Sequence, residues 1–294
     1  MIFDNIYDCP SISSKKLAKE SMTYEWGYDY WKSILTERAM RLFVWKNTGD
    51  VPQREIEFAL MLNGSCGVTN KYKNTMTVFN GQYSGSPTIY YDMYEDYAVY
   101  SPVFSKILKV DKNVAVIRNN NCMNSIIPLV HRYATMLSHT EVSFINTLIN
   151  GRDSGGIPIA STNAQKIAIE NYRNSLFNGK VTSILDPAFS GVQFLSVDKN
   201  TTLNIKDLME TRKNLLNSFY EDLGVKTARE KKGNMIQEEV NANDSMLMLN
   251  LSDMLYNRQL GCEKVNKLFG TNWSVDISEE LKYNEFVKGG ENNE

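Results

Sequence analysis

Residue types that mark several common protein classes are scarce in this chain of 294 residues. It has four cysteines, which lie far apart with no CxxC spacing, and two histidines. Neither a disulfide framework nor a zinc site is therefore indicated, and reduced thiols in a cytosol are expected. The chain also lacks a run of about eighteen apolar residues and a signal-like N-terminus, so we expect neither secretion nor membrane spanning.

Motifs of catalysis and cofactor binding are missing as well. No GxxxxGK[ST] phosphate loop, HExxH zinc helix, GxSxG turn or DxDxDG calcium loop occurs. His131 and His139 lie on one predicted helix, whereas a metal site usually needs three or four converging ligands. Adjacent carboxylates such as Glu238 and Glu239 diverge, so they do not form an acid–base pair. We predict no catalytic residue, no metal ligand and no cofactor, and hence a protein that is not an enzyme.

Net charge is small, because 34 acidic residues offset 32 basic ones. A protein that grips nucleic acid over its whole surface is usually basic, so any contact with nucleic acid has to be local. One short segment contains a single acidic residue, Glu230, and four basic ones: Lys226, Arg229, Lys231 and Lys232. In a monomer such a run is usually a solvated loop. In a ring, however, symmetry would repeat it around a central hole.

Apolar residues make up 42% of the chain, which is ample for a buried core. Helical spacing predicts a helix from about Gly27 to Trp45 and a shorter helix after Pro52. From Ser65 to Val116 the sequence is rich in Tyr, Thr and Val with interspersed Gly, as in TMTVFNG and DYAVY. This composition predicts a small β-sheet or barrel.

The tyrosines of this β-rich region allow two interpretations. Their β propensity favours packing within a sheet, while aromatic rings can also stack on nucleic-acid bases. Both interpretations stay open for Tyr90, Tyr91, Tyr94, Tyr97 and Tyr100.

Two long helices are predicted to flank a small insert. Pro128 opens a helix of about twenty residues, and a second long helix is expected from about Asn204 to Leu223. Between them, residues 151–203 predict a strand in GIPIA, a helix that begins at a Thr162–Gln165 capping box, and strands in VTSIL and VQFLSV.

After Gly224 about twenty residues lack a core pattern until Leu247, which is typical of functional or mobile segments. A last helix should reach about Phe269 with an interruption near Gly261, followed by a short strand that begins near Trp273. The chain has no clean linker, so one multi-lobed subunit fits better than two independent domains, which stay open as the alternative. The predicted fold class is α+β, predominantly α.

Two segments carry a resemblance to a known family: NSFYEDLGVKTAREKKGNMIQEEVNANDS and EKVNKLFGTNWSVDI. They resemble the portal proteins, also called head-tail connectors or upper-collar proteins, of the smallest short-tailed phages (podoviruses). Weaker similarities follow in the same order along the chain, in RLFVWKN, YSPVFSKILKV, IIPLV and the insert from GIPIAS to VTSILD. The resemblance implies a portal fold assembled as a dodecameric ring at a unique capsid vertex. Such a ring is the conduit for DNA packaging and ejection and the docking platform for the packaging motor and the tail.

The same resemblance implies a division of the chain. The expected parts are an N-terminal arm (1–25), a wing of helices and a small SH3-like β-sheet lobe (26–124), stem helices (125–150 and 204–223), an α/β clip (151–203), a channel loop (224–243) and a C-terminal wing or crown helix with a tail (244–294).

The resemblance also implies site residues and partners. Lys231 and Lys232 match the paired lysines of the family's channel loop, which face the DNA and help resist its escape, with Lys226 and Arg229 as supporting charge. Implied partners are other copies of the chain, double-stranded DNA bound without sequence specificity, the packaging ATPase, the major capsid and scaffolding proteins and a lower-collar or tail protein. Prohead RNA is a further candidate, although MIFDNIYDCPSISS is longer and more acidic than the family's basic tail. The expected location is the virion, after assembly in the host cytoplasm.

Two rival functions remain. One is a monomeric nucleic-acid-binding module whose tyrosines stack bases and whose basic segment contacts phosphates. The other is a different virion collar or scaffold component, which would share the ring but hold no DNA in its lumen.

Overall fold

The structure is a computed structural model and describes residues 23–89, 94–150, 157–177, 187–195, 205–227, 237–279 and 281. Within these residues the fold is mixed α/β with more helix than strand. The helices are α1 (Tyr24–Met40), α2 (Gln53–Asn63), α3 (Ile127–Asn150), α4 (Asn163–Phe177), α5 (Ile205–Asp222) and α6 (Gln237–Phe269). The strands are β1 (Phe43–Lys46), β2 (Ser65–Tyr72), β3 (Thr75–Pro87), β4 (Tyr94–Tyr100), β5 (Ser105–Lys109), β6 (Ala115–Arg118), β7 (Ile157–Ile159), β8 (Gln193–Leu195) and β9 (Ser274–Ile277).

The chain divides into two compact units. The first comprises Met1–Tyr30 and Thr135–Leu215, and the second comprises Trp31–Ala134 and Leu216–Glu294. The boundaries fall within α1, α3 and α5.

A five-stranded antiparallel sheet in the second unit confirms the strands predicted between Ser65 and Val116, with the order β5-β4-β3-β2-β6. Lys73 and Asn74 both have positive φ in the two-residue turn between β2 and β3, as the twist of a tight hairpin requires. One apolar cluster holds the strands together: Phe79, Tyr97, Val99, Leu108, Val114 and Val116.

Helix α6 runs without interruption through Gly261 and packs on β6, so the predicted interruption is wrong. A Cβ atom at position 261 would lie 2.6 Å from Cγ2 of Ile117. The glycine therefore allows close approach of the helix to the strand. Helix α6 also begins at Gln237, ten residues before the apolar pattern resumes at Leu247, because that polar stretch contains good helix formers such as Gln, Glu and Ala.

The end of the first predicted helix is also corrected. Helix α1 ends at Met40, and β1 pairs antiparallel with β9, which places Phe43 opposite Ile277. The run FVWK has a strand's β-branched and aromatic composition, and its partner lies more than two hundred residues away, so local spacing misassigned it to the helix. The predicted final strand is confirmed as β9, and the predicted helix after Pro52 is confirmed as α2.

In the first unit, α4 begins with the predicted capping box. The backbone N–H of Gln165 donates to Oγ1 of Thr162 at 3.2 Å, and Oε1 of Gln165 accepts from the backbone N–H of Ser161 at 2.8 Å. Strands β7 and β8 pair antiparallel, while the predicted strand VTSIL lies outside the described residues. Helices α3 and α5 contact each other here through Arg212 Nε and Glu141 Oε1, which are 3.4 Å apart.

Candidate functional site

Of the four basic residues predicted to face DNA, the described part of the chain includes one. Lys226 is exposed and follows α5 by four positions, whereas Arg229, Lys231 and Lys232 lie outside the described residues. The structure therefore describes the base of the basic segment, and that base belongs to the second unit.

Helix α5 ends at Asp222, one residue before the sequence predicts. Gly224 adopts the left-handed conformation with φ of 86°, and the backbone N–H of Val225 returns to the carbonyl oxygen of Tyr220 at 2.8 Å. This is the geometry of a glycine-terminated helix, which satisfies the last carbonyls and redirects the chain. Leu223 and Phe219 are buried beneath this turn.

Asp222 joins three elements at this turn. Its Oδ2 accepts a hydrogen bond from the phenol of Tyr133 in α3 at 2.7 Å, and its backbone carbonyl accepts one from Nδ2 of Asn250 in α6 at 2.9 Å. Burial, reinforced by the carboxylate of Asp222, raises the pKa of the Tyr133 phenol to about 12. The phenol therefore remains a hydrogen-bond donor at neutral pH. Its ring packs edge-on against Phe219, with centroids 5.5 Å apart.

Two more hydrogen bonds hold the ends of the turn. Oγ1 of Thr227, next to Lys226, donates to Oε1 of Glu221 at 2.8 Å. Nη1 of Arg38 in α1 donates to the hydroxyl of Tyr220 at 3.1 Å. Asn250 of α6 also holds the turn, so Lys226 and Thr227 extend from a base to which α1, α3, α5 and α6 all contribute. These contacts fix the point at which the chain leaves α5.

Sequence reasoning missed a buried ion pair in the same unit. Arg258 of α6 donates through Nε and Nη2 to both carboxylate oxygens of Glu57 in α2, at 2.9 and 2.8 Å. Nη2 also donates to Oδ1 of Asn119 at 2.9 Å, and the guanidinium lies over the ring of Phe43, 4.1 Å from its centroid. Trp45 completes the cluster through its indole N–H, which donates to Oε1 of Glu57 at 2.8 Å.

Both charged groups of this pair are fully buried, with 0% and 1% of the side-chain surface exposed. A signal was present in the sequence, since Glu57 and Arg258 each interrupt the apolar stripe of a predicted helix. Opposite charges in two apolar stripes suggest partners, because an unpaired buried charge is costly.

The tyrosines of the sheet differ in how deeply they are buried. Tyr97 is fully buried, donates or accepts a 2.9 Å hydrogen bond with Ser65, and packs edge-on against Tyr83. Burial raises the pKa of its phenol. Its ring has no exposed face on which a base could stack. Tyr100 is 41% exposed, Tyr94 is half-buried, and Tyr90 and Tyr91 lie outside the described residues.

The two histidines lie in different environments. The ring of His139 stacks on Tyr24 in the first unit, with centroids 4.4 Å apart. In the second unit burial, followed by the charge of Lys32, lowers the pKa of His131. Among the described residues no three His, Cys, Asp or Glu side chains are grouped to hold a metal ion. No described helix is both long and apolar enough to cross a bilayer.

The chain is similar to a chain in a structure of the portal and tail of native bacteriophage P68, with 16% sequence identity, a TM-score of 0.43, and coverage of 92% of this chain and 90% of that one. A chain from the neck of an empty GTA particle shares 8% identity at a TM-score of 0.38, covering 90% and 84% of the two chains. The model of the family described as Phage Connector (GP10) matches residues 12–282, nearly the whole chain. Members of this family are head-tail connector components of bacteriophage virions. The match over most of its length shows that this chain belongs to the phage connector family.

Proposed function

We propose that this chain is the portal subunit of its phage, assembled as a dodecameric ring at one capsid vertex. The observation that carries the proposal is the family match over residues 12–282. In this proposal the ring is a conduit for DNA during packaging and ejection. It docks the packaging ATPase and the tail, contacts the capsid and scaffolding proteins, and catalyses no reaction itself.

The proposed parts follow the chain order. The five-stranded sheet is the SH3-like lobe of the wing, to which α1 and α2 also belong. Helices α3 and α5 are the stem helices, and residues 151–203 are the clip. Residues 224–243 form the channel loop, of which α6 takes the last turns, and α6 continues into the C-terminal wing or crown. The N-terminal arm precedes α1.

Lys231 and Lys232 face the DNA in this proposal, with Lys226 and Arg229 as supporting charge. The packed turn at Asp222 supports this role, because it fixes the point at which the basic segment leaves α5. Phosphate attraction carries no sequence information, so lysines can centre a duplex without arresting its movement. Twelve copies of a segment with a net charge of about +3 would place a net charge of about +36 around the lumen.

The test replaces the lysine pair in the assembled particle. Lys231→Ala with Lys232→Ala is expected to leave the ring intact and to reduce the fraction of packaged DNA that is retained. Lys231→Arg with Lys232→Arg is the matched control, because it keeps both charges and should retain DNA like the unchanged chain. Retention is measured as nuclease-protected genome per particle. Failure of the alanine variant to form rings would instead make the pair structural and refute its assignment to the channel.

A further inference from the structure

The second unit contains a cavity of about 390 Å³ that the proposed channel does not use. It lies where the ends of β3, β4, β5 and β6 approach α6. Its volume falls within the range of about 300–1,000 Å³ that is usual for small-molecule sites. The side chains that line it are Tyr83, Thr88, Tyr94, Glu95, Lys109, Val110, Asp111, Lys112, Arg118 and Lys264.

Four cations converge on this cavity: Lys109, Lys112 and Arg118 lie close together in sequence, and Lys264 comes from α6. Nζ of Lys109 is held by Asp96 at 2.8 Å and by Glu95 at 3.6 Å, so its charge is compensated. The turn after β5 contributes Lys112, and α6 contributes Lys264. Neither of these two ammonium groups forms an ion pair with a carboxylate among the described residues. Asp111 also lines the cavity, so Glu95, Asp96 and Asp111 oppose the four cations and leave a local excess of one positive charge.

Arg118 adds a guanidinium in a defined orientation. Its Cζ lies 5.7 Å from the centroid of the Tyr83 ring, and that ring is itself packed edge-on against the buried Tyr97 at 5.2 Å. A guanidinium held over a fixed ring loses little freedom on binding, and its planar fork of donors matches the oxygens of a phosphate. Tyr94 lies beside it, with its ring centroid 6.4 Å from that of Tyr83.

We propose that this cavity binds a phosphate group carried by a nucleotide or by a single nucleic-acid strand. Lys112, Lys264 and Arg118 contact the phosphate oxygens, and Tyr94 offers a ring to the attached base or sugar. The proposal is independent of the ring and of the channel lysines, since it depends on a cavity inside one unit of one chain.

The test measures binding to the full-length protein that carries Lys231→Ala and Lys232→Ala, so that the proposed channel pair does not contribute. The probe is a fluorescent, 5′-phosphorylated oligothymidylate of about six nucleotides, the length scale of a single-strand binding site. Inorganic phosphate and thymidine monophosphate are the competitors. Adding Lys112→Ala with Lys264→Ala is expected to weaken binding by about tenfold or more, because two charge-assisted contacts are lost.

The matched control is Lys71→Ala with Lys106→Ala, which removes the same charge from exposed positions of the same sheet outside the cavity. It should change binding by less than about twofold if the cavity is the site. Stronger competition by thymidine monophosphate or unlabelled oligonucleotide than by inorganic phosphate would support the proposal, whereas equal competition by inorganic phosphate would identify a free-phosphate site and contradict it. Absence of saturable binding of every probe, or equal loss in the two double variants, would overturn the proposal.

Discussion

At the scale of single residues, Glu57 and Arg258 are 201 positions apart in the sequence, and their ion pair links α2 to α6. Every donor of the guanidinium finds an acceptor, since Nη1 also donates to the backbone carbonyls of Asn119 and Met254. Burying two charges is costly, and only such complete pairing makes it tolerable. The pair therefore fixes how α6 sits against α2 within the second unit.

Removing one charge of this pair should be strongly destabilising. Glu57→Gln leaves the guanidinium buried without a counter-charge, and we expect it to lower the free energy of unfolding by about 3–5 kcal/mol. Urea denaturation monitored by tryptophan fluorescence measures this change. Glu37→Gln is the control, because the pair of Glu37 and Arg41 is exposed and should contribute no more than about 1 kcal/mol. Equal effects of the two substitutions would contradict the structural role of the buried pair.

At the scale of elements, the contact of α6 with β6 depends on the missing side chain at position 261. Gly261→Ala would bring a methyl group within 2.6 Å of Ile117. Overpacking of this kind costs about 1–3 kcal/mol, against a gain of about 1 kcal/mol in helix propensity. We expect a net loss of stability that Ile117→Ala partly reverses in the double variant, as thermal denaturation would show. Additive effects of the two substitutions would contradict the close contact.

The end of α5 offers a second test at this scale. Tyr133→Phe removes the hydrogen bond to Asp222, and such bonds to charged groups contribute about 1.5–3 kcal/mol. We expect faster amide hydrogen exchange at Leu223 and Val225, with the exchange rates elsewhere unchanged. Tyr256→Phe is the control, since that side chain is exposed. Unchanged exchange at both amides in Tyr133→Phe would show that the hydrogen bond does not hold the base of the segment.

These contacts also show where sequence reasoning stops. The α3 and α5 helices were predictable because their apolar residues recur every three to four positions and because Pro128 and Gly224 mark their ends. Strand β1 was not, since its partner β9 is distant in sequence and nothing local signals the pairing. Gly261 illustrates the same limit. From the sequence alone, a glycine that ends a helix looks the same as a glycine that lets a strand pack closely against the helix.

The candidate site was predictable in part. The position of the basic segment after Gly224 follows from the loss of apolar pattern. Its anchoring does not, because Tyr133, Asn250 and Arg38 come from three other elements. The cavity near Arg118 could not be predicted from the sequence either, since its cations come together only after folding.

At the scale of the whole molecule, the chain belongs to the phage connector family, and the ring that we propose would account for the distribution of its charge. A slightly acidic chain with one short basic segment is poorly suited to hold DNA as a monomer. Repeated around a ring, the same segment would give a continuous positive band without making the outer surface basic. The burial of Tyr97 also weakens the rival interpretation in which the sheet of a monomer stacks nucleic-acid bases.

The central claim is that copies of this chain close into a ring around a hole wide enough for DNA. Negative-stain electron microscopy of the purified full-length protein tests it most directly. We predict discrete rings with a stain-filled centre and a rotational symmetry close to twelvefold. Isolated monomers or dimers at micromolar concentration, or closed particles without a central hole, would contradict the account.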